Sequence, residues 1–205
     1  MSGHCAVIVF AKSPVAGFAK TRLIPALGEA GAARLAERLL AWTMAQACEA
    51  DIGPVELCCT PDAGHAAFEG MARLHGVRLS EQGEGDLGQR MARALNRALA
   101  VHRRAVLIGT DTPALGATYL RSAAIALADH DTVFGPATDG GYTLVGLSRP
   151  ADDLFQGISW STQQVMAQTR ERIVRLGLRC AELPALSDID EPADLAHVPS
   201  HWRPV

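Results

Sequence analysis

The sequence has no excess of positive charge and no long apolar run, and each absence disfavours a class of protein. Lysine and arginine number 19 against 22 acidic residues, so the formal net charge is −3. General nucleic-acid binding depends on a basic surface and is therefore not expected. The apolar segments are too short to cross a membrane, and the start of the chain lacks the pattern of a signal peptide. We therefore expect a cytoplasmic protein that binds neither nucleic acid nor membranes.

Two familiar glycine-rich phosphate loops are also missing. The segment FAKSPVAGFAKTRL, residues 10–23, follows the first apolar run of the chain. Aligned on its Lys-Thr pair, the Walker pattern would need glycine where this chain has Pro14 and Ala19. The dinucleotide fingerprint needs three glycines at such a turn, and only Gly17 is present. Ordinary nucleoside triphosphatases and dehydrogenases are therefore disfavoured.

The same segment does contain three cations, Lys12, Lys20 and Arg22. Lysine supplies a point charge and arginine a planar fork for phosphate oxygens, while Gly17 would let the backbone approach a ligand closely. A local positive patch on a mildly acidic chain suits a small anionic ligand better than a polymer. A solvated basic loop is the alternative. We predict that these four residues bind the phosphates of a nucleotide.

Strand-like runs alternate with helix-like runs, which is typical of an α/β domain with a mostly parallel sheet. The short turn before residues 142–147 predicts that this strand is antiparallel to its neighbour. Ser161 and Gln164 suggest a capping box at the start of a helix. We expect one domain over residues 1–205. We predict strands at 6–10, 55–59, 77–79, 105–108, 132–134, 142–147 and 178–183. We predict helices at 31–50, from after Asp62 to Leu74, with Met91, Leu95 and Leu99 on one side, with Leu120, Ala124 and Leu127 on one side, at 161–176 and from Pro192.

Polar residues follow several of these strands at one edge of the sheet. Ligands of such sheets bind beyond the carboxyl ends of the strands, so the loops after Phe10, Ile108 and Phe134 should meet. Asp111 follows an apolar strand by three residues, where a carboxylate is costly without a partner. Mg²⁺ (or Mn²⁺) is a natural partner, since Mg²⁺ takes one or two carboxylates, water and substrate phosphates. Organisation of its own turn is the alternative role for Asp111.

The second metal ligand is open among three acids. We favour Asp190, with Asp188 and Asp139 as alternatives. Asp190 also precedes a good helix start, so an N-cap role competes with metal binding. Residues 160–162 are expected to pack and cap a helix, and we place them outside the site. The turn that contains Asp139 is predicted either to hold a substrate hydroxyl or simply to reverse the chain, and it comprises Asp139, Gly140, Gly141 and Tyr142.

A polyphosphate, a divalent cation and flanking cations together suit group transfer, in which the protein positions groups and stabilises developing charge. No Ser-His-Asp set or activated thiol is evident. We expect an acceptor oxygen to attack a nucleotide phosphorus, or a sugar carbon that bears a nucleoside diphosphate. Lys20, Arg22 and Asp111 are the predicted catalytic residues, and the two cations would stabilise the leaving phosphates.

Six blocks in order resemble a bacterial family of transferases with the nucleotide-diphospho-sugar transferase (GT-A) fold. Members are often labelled glycosyltransferases, or transferases associated with radical-SAM and selenium-related proteins. The resemblance implies a three-layer α/β/α fold whose mostly parallel sheet has one antiparallel strand. It covers nearly the whole chain. The blocks are FAKSPVAGFAKTRL, GEGDLGQRM, IGTDTPAL, GPATDGGYTLVGL, ISWST and DIDEPADL.

The opening block is also similar to that of phospholactate guanylyltransferases and, more distantly, of molybdenum-cofactor guanylyltransferases. Where relatives often carry a basic or β-branched residue, this chain has Phe18-Ala19. The resemblance implies a role for each of three groups of residues: nucleotide phosphates at Lys12, Lys20 and Arg22, a base or ribose region at Gly85, Asp86 and Arg90, and a metal at Asp111 with help from Asp190.

Three functions follow as hypotheses. The first is an Mg²⁺-dependent nucleotidyltransferase that uses a nucleoside triphosphate and a small phosphorylated or hydroxylated acceptor. The second is a glycosyltransferase that uses a nucleoside-diphosphate sugar. The third is a nucleotide-binding module without catalysis, against which the acids Asp111 and Asp190 argue, because phosphate binding alone would not need them.

Overall fold

The fold is organised around one twisted sheet, as seen in a computed structural model that describes residues 5–199 and 202. Within this part of the chain, none of the helices is long and apolar enough to span a membrane. The strands are β1 (Cys5–Lys12), β2 (Val55–Thr60), β3 (Arg78–Glu81), β4 (Arg104–Ile108), β5 (Thr132–Pro136), β6 (Tyr142–Leu147) and β7 (Cys180–Glu182). The α-helices are α1 (Ile24–Glu49), α2 (Ala66–His75), α3 (Leu87–Leu99), α4 (Ala117–Ala126) and α5 (Val165–Arg175).

The strand order confirms the predicted fold class. The order is β3-β2-β1-β4-β6-β5-β7, and β6 runs antiparallel to both of its neighbours. The remaining pairs are parallel. Because β1, β4 and β5 run the same way, the loops that follow them share one edge of the sheet, as expected for ligand binding in such folds.

Helices cover both faces of the sheet and make it the middle of three layers. Side chains of successive strand residues point to opposite faces. Val7 and Val9 accordingly pack in a cluster with α1, α2 and α4, whereas Ile8 packs in a second cluster with α3 and α5. The neighbours Cys58 and Cys59 divide between the two clusters in the same way.

An ion cluster around the buried Glu56 ties α3 to the edge of the sheet. Glu56 on β2 accepts a hydrogen bond from Ser80 on β3 and pairs with Arg78 and with Arg97 of α3. Burial by itself raises the pKa of Glu56, but these hydrogen bonds outweigh it and hold the pKa below its ordinary value. The cluster holds α3 in place, and the first turn of α3 forms part of the cleft described below.

The structure corrects two predicted helix starts. The helix predicted at 31–50 begins earlier, and its first turn is separated from the rest by a non-helical Gly28 with φ 68°. The helix predicted from Ser161 begins only at Val165. Ser161 lies in the left-handed region with φ 62°, whereas an N-cap residue needs extended backbone, so it does not cap α5. The helix predicted from Pro192 is a 3-10 helix, Pro192–His197.

Candidate active site

A cleft of about 940 Å³ opens at the carboxyl edge of the sheet. The segments that line it include the loop after β1, the end of β4, the turn before β6, residues 160–163, residues 188–191, and Gln82 with the start of α3. This volume lies at the upper end of the range usual for small-molecule sites. The cleft therefore brings together segments that lie far apart in the sequence.

Lys20 links three of these segments. Its Nζ lies 2.7 Å from Asp111 Oδ1 and donates a hydrogen bond to the carbonyl of Ile189. The backbone of Ile189 in turn donates to the carbonyl of Asp111 at 2.8 Å. Lys20 has left-handed backbone, φ 48°, and its side chain is only 7% exposed, against 51% for Asp111. Lys20 is thus a structural link between the loop and the C-terminal segment as well as a cation in the cleft.

The other predicted cations are more accessible. Arg22 donates to Asp190 at 2.7 Å, and its side chain is 61% exposed. Lys12 donates to the carbonyl of Phe18 at 2.9 Å and is exposed. Both line the cleft together with Lys20. Gly17 does not line the cleft. Its positive φ of 80° permits the turn, and a side chain there would point to Glu29.

Four aspartates line the cleft opposite these cations or among them, and they are Asp111, Asp139, Asp188 and Asp190. Burial raises the pKa of Asp188, and the negative charges of Asp139 and Asp111 raise it further. Asp188 is therefore near both of these carboxylates. A cluster of carboxylate oxygens is the donor set that Mg²⁺ and Mn²⁺ prefer.

These acids fit a cation that completes its coordination with ligand oxygens. Among residues 5–199 and 202, no three Asp, Glu, His or Cys side chains form a group that could hold a metal ion unaided. Magnesium commonly uses one or two carboxylates with water and substrate phosphates. The arrangement thus fits a metal that binds together with a phosphorylated ligand.

The capping role that competed for Asp190 belongs to its neighbour. Glu191 is the N-cap of the 3-10 helix, and it forms a reciprocal capping box with Asp194. Asp194 accepts hydrogen bonds from the backbone nitrogens of Asp190 and Glu191, at 3.0 Å and 2.7 Å. The Asp190 carboxylate remains on the cleft wall, where it pairs with Arg22.

The residues predicted for the base or ribose frame the cleft without lining it. Asp86 caps α3 by accepting a hydrogen bond from the backbone nitrogen of Gln89 at 2.8 Å, and Gln89 Oε1 accepts one from the backbone nitrogen of Asp86 at 3.0 Å. Gly85 supplies the turn before this cap with φ 100°. Arg90 donates to Gln82 Oε1 at 3.2 Å. The polar groups of Gly85, Asp86 and Arg90 thus have partners at the helix start and in Gln82, and their contact with a nucleotide stays a prediction.

Gln82 is the polar residue that sequence reasoning missed on this wall. It is 5% exposed, and its Nε2 donates to the carbonyls of Ala11 and Cys58 at 3.3 Å and 3.2 Å. It lines the cleft with Leu87 and Met91. The available signal was its position three residues after the strand predicted at 77–79, at the edge where ligands of such sheets bind.

The turn before β6 supports the opposite wall. Asp139 accepts from the backbone of Gly141 at 2.8 Å, which closes the turn. Gly140 has φ 93°, and a Cβ there would lie 2.2 Å from the carbonyl oxygen of Gln163. Asp139, Gly141 and Tyr142 line the cleft, whereas Gly140 lies behind it against residue 163. The motif therefore positions residues 160–163 as well as presenting its own side chains.

Residues 160–162 line the cleft, which corrects their predicted place outside the site. The ring of Trp160 meets Tyr142 edge-on with centroids 6.3 Å apart, and Tyr142 meets Phe134 at 5.0 Å. A Cβ on Gly88 would lie 2.6 Å from Trp160 Cζ2, so this glycine admits the indole. Burial raises the pKa of Tyr142 far above its ordinary value, and its phenol stays neutral.

Comparison with solved structures places the fold among nucleotide-using transferases. The structure of a protein from Desulfovibrio desulfuricans G20, assigned as a nucleotide-diphospho-sugar transferase, superposes with a TM-score of 0.83 at 29% identity. The match covers 93% of this chain and 84% of that one. A nucleotidyl transferase from Methanothermobacter thermautotroptrophicus gives a TM-score of 0.67 at 15% identity over 97% of both chains.

A more distant likeness is to glucosyl-3-phosphoglycerate synthase from Mycobacterium tuberculosis, solved with Mn²⁺, uridine diphosphate and glucosyl-3-phosphoglycerate. The TM-score is 0.59 at 12% identity, over 95% of this chain and 75% of that one. Comparison with curated protein sequences finds no match. Residues 43–162, more than half of the chain, match a sequence family described as an uncharacterized protein conserved in bacteria. The chain therefore belongs to this bacterial family, DUF2064, and has the fold of nucleotide-diphospho-sugar transferases.

Proposed function

We propose that the protein is a cytoplasmic, single-domain transferase that requires a divalent metal and moves a nucleotidyl group from a nucleoside triphosphate to a small acceptor. The observation that carries the proposal is the pairing of cations and acids across one cleft. Lys20 faces Asp111 at 2.7 Å, and Arg22 faces Asp190 at 2.7 Å. A bound polyphosphate can pair with the two cations and a bound metal ion with the two acids, so together these ligands can replace both ion pairs.

The phosphates would take over the two cations. Arg22 is exposed and presents a planar fork that matches phosphate oxygens. Lys20 is held in place by the Ile189 carbonyl, so its charge is already positioned for the leaving group. Lys12, at the end of β1, lines the same cleft and would contact the remaining phosphate. Likeness to a nucleotidyl transferase over the full length of the chain supports this reading.

The reaction that fits this arrangement is a single displacement. A hydroxyl oxygen of the acceptor attacks the α-phosphorus, and a new O–P bond forms. The bond from that phosphorus to the bridging oxygen breaks, pyrophosphate leaves with the electron pair, and the hydroxyl proton passes to solvent. Lys20 and Arg22 stabilise the charge that develops on the leaving phosphates.

Asp111 is the proposed first protein ligand of Mg²⁺ or Mn²⁺. Asp188 and Asp190 are both strong candidates for the second. Asp190 already pairs with Arg22, whereas Asp188 has Asp111 and Asp139 as charged neighbours and gains most from a cation. A bound metal would neutralise phosphate charge and align the polyphosphate. A solved relative of the same fold that holds Mn²⁺ supports metal use.

Glycosyl transfer from a nucleoside-diphosphate sugar is the second candidate. The relative with 29% identity is assigned to nucleotide-diphospho-sugar transferases, which favours this reading. The cleft would bind the diphosphate through the same cations. The reactions differ in product, because nucleotidyl transfer releases pyrophosphate and glycosyl transfer releases a nucleoside diphosphate.

A thermal-shift screen tests the proposal directly. Nucleoside triphosphates and nucleoside-diphosphate sugars are each added with and without Mg²⁺ or Mn²⁺, since a ligand of the folded state raises Tm by mass action. A metal-dependent rise with a triphosphate supports nucleotidyl transfer, and a rise confined to a diphospho-sugar supports the second candidate. Tight binding that ignores both metal and Asp111→Asn would identify a binding module without catalysis. No rise with any nucleotide would refute all three.

A further inference from the structure

The basic residues of the cleft come from one stretch of the chain. Of the described residues that line it, the basic ones are Lys12, at the end of β1, and Lys20 and Arg22, which follow it. A second wall consists of the turn before β6 and residues 160–163. Its charged member is Asp139. A nucleotide's phosphates would therefore bind on one side and leave an acidic, cation-free wall for the other substrate.

That wall is built in advance of any ligand. Gly88 and Gly140 each leave room that a Cβ would fill, the first for the Trp160 ring and the second for the backbone of Gln163. Thr162 Oγ1 donates to the Ser159 carbonyl at 2.7 Å, which fixes the same segment. The backbone nitrogen of Met166 donates to the Gly140 carbonyl at 2.8 Å. A fixed wall selects its ligand by chemistry and shape, because little of it has to be ordered on binding.

The wall combines aromatic rings with neutral polar groups. Tyr142 and Trp160 supply ring surface, while Thr162 and Gln163 supply hydroxyl and amide groups. Such a surface contacts C–H faces through the rings and hydroxyls through the polar groups. A phosphate on the second substrate would instead meet Asp139, and the described residues of this wall include no lysine or arginine to offset the repulsion.

We propose that the acceptor is an uncharged, hydroxyl-bearing compound such as a polyol or a sugar, and that it binds against Tyr142, Trp160 and Gln163. This inference rests on the proposed function and narrows its acceptor, which the sequence left as either phosphorylated or hydroxylated. The oxygen of one acceptor hydroxyl forms the new O–P bond of the product, and pyrophosphate and the hydroxyl proton are released as described above. The phosphate-binding side of the cleft is already committed to the nucleotide.

The test uses matched pairs of probes on the full chain loaded with saturating nucleotide and Mg²⁺. The pairs are glycerol and glycerol 3-phosphate, myo-inositol and inositol 1-phosphate, and glucose with its 1- and 6-phosphates. The measurements are the further rise in Tm and the nucleotide consumed, followed by anion-exchange chromatography. We expect at least one uncharged probe to raise Tm and to be used in preference to its phosphate by more than tenfold in kcat/KM.

Two variants separate the wall from the nucleotide side. Gln163→Lys places a cation on the wall. It should raise kcat/KM for the phosphorylated probe, relative to that for its uncharged partner, by up to about fivefold, which is the scale of an exposed ion pair. Gln156→Lys is the matched control, because Gln156 is an exposed glutamine of the same connection that bonds to Asp153 and does not line the cleft. Trp160→Leu should raise KM for the uncharged probe severalfold, with nucleotide affinity unchanged.

Each outcome decides a different point. The inference is overturned if the phosphorylated members of the pairs give the larger rise in Tm and the larger nucleotide consumption, or if no uncharged probe gives either. A rise in Tm with nucleotide alone would still support the proposed function in that case. Equal responses of Gln163→Lys and Gln156→Lys also overturn it. Loss of the nucleotide-dependent rise itself counts against the proposed function, and the inference then falls with it.

Discussion

Replacement of Lys20 by alanine should weaken nucleotide binding and lower stability together. The side chain is nearly buried and has two partners, the Asp111 carboxylate and the Ile189 carbonyl. A hydrogen bond to a charged group contributes about 1.5–3 kcal/mol, and the half-exposed Asp111 recovers part of that from water. We therefore expect unfolding to become easier by about 1–2 kcal/mol. In a chain of this size that lowers Tm by about 2–8 °C.

The same charge contributes to ligand affinity. Loss of one charge-assisted contact to a phosphate raises Kd for the nucleotide by about tenfold to a hundredfold. Chemical denaturation measures the stability, and isothermal titration with the best triphosphate and Mg²⁺ measures the affinity. Lys20→Met separates charge from packing, because it keeps the apolar stem of the lysine.

Lys12→Ala is the matched control, at the end of the strand that leads into the same loop. Lys12 is exposed and its side chain donates to the nearby Phe18 carbonyl, so its removal changes stability by less than about 0.5 kcal/mol. Nucleotide affinity should still fall. Wild-type affinity in Lys20→Ala would refute the phosphate role of this residue, and an unchanged Tm would refute its role as a link between segments.

Three further predictions concern the metal site, the ion cluster and the cleft wall. Asp111→Asn keeps the size of the side chain but removes its charge, so the Mg²⁺-dependent part of the nucleotide-induced rise in Tm should disappear; a full rise would exclude Asp111 as a ligand. Glu56→Gln leaves the half-buried Arg97 without its carboxylate partner. It should lower the free energy of unfolding, measured with urea, by about 2 kcal/mol. Because hydrogen bonds from a serine and two arginines outweigh burial and depress the pKa of Glu56 below 4.5, its contribution is present above pH 4.5 and is lost as pH falls further. The stability gap between wild type and Glu56→Gln should therefore narrow below pH 4.5, and a gap that widens would contradict this sign. Gly140→Ala introduces a Cβ 2.2 Å from the Gln163 carbonyl at φ 93°, so acceptor KM should rise more than nucleotide Kd, and the reverse order would contradict the wall's role.

The kinds of element and their general order could be predicted because they depend on local patterns. The apolar run at Val7–Val9 is buried on both faces, as a central parallel strand requires, and it leads to the cation-rich loop. The short connection before Tyr142 left too little chain for a crossover, so β6 had to be antiparallel. The rule that parallel strands end at one edge then sufficed to bring Lys20 and Asp111 to the same cleft.

The hydrogen-bond partners of the site residues, and the residues that line the cleft, depend on packing between segments far apart in the sequence. Local sequence patterns carry no information about such packing. Sequence spacing does not pair Lys20 with the Ile189 carbonyl, 169 residues away. It favoured Asp190 over Asp188 as a metal ligand without showing that Asp190 pairs with Arg22. It also did not show that the polar groups of residues 85–90 have partners at the start of α3 and in Gln82. Trp160 read as a packing residue, and it lines the cleft because Gly88 admits its ring and Ser161 turns the chain. By itself, the sequence determined the sheet, its antiparallel strand and the edge at which the cleft opens. The tertiary structure alone decided which polar groups are used up in packing and capping and which remain on the cleft wall, because side-chain partners are set by contacts through space.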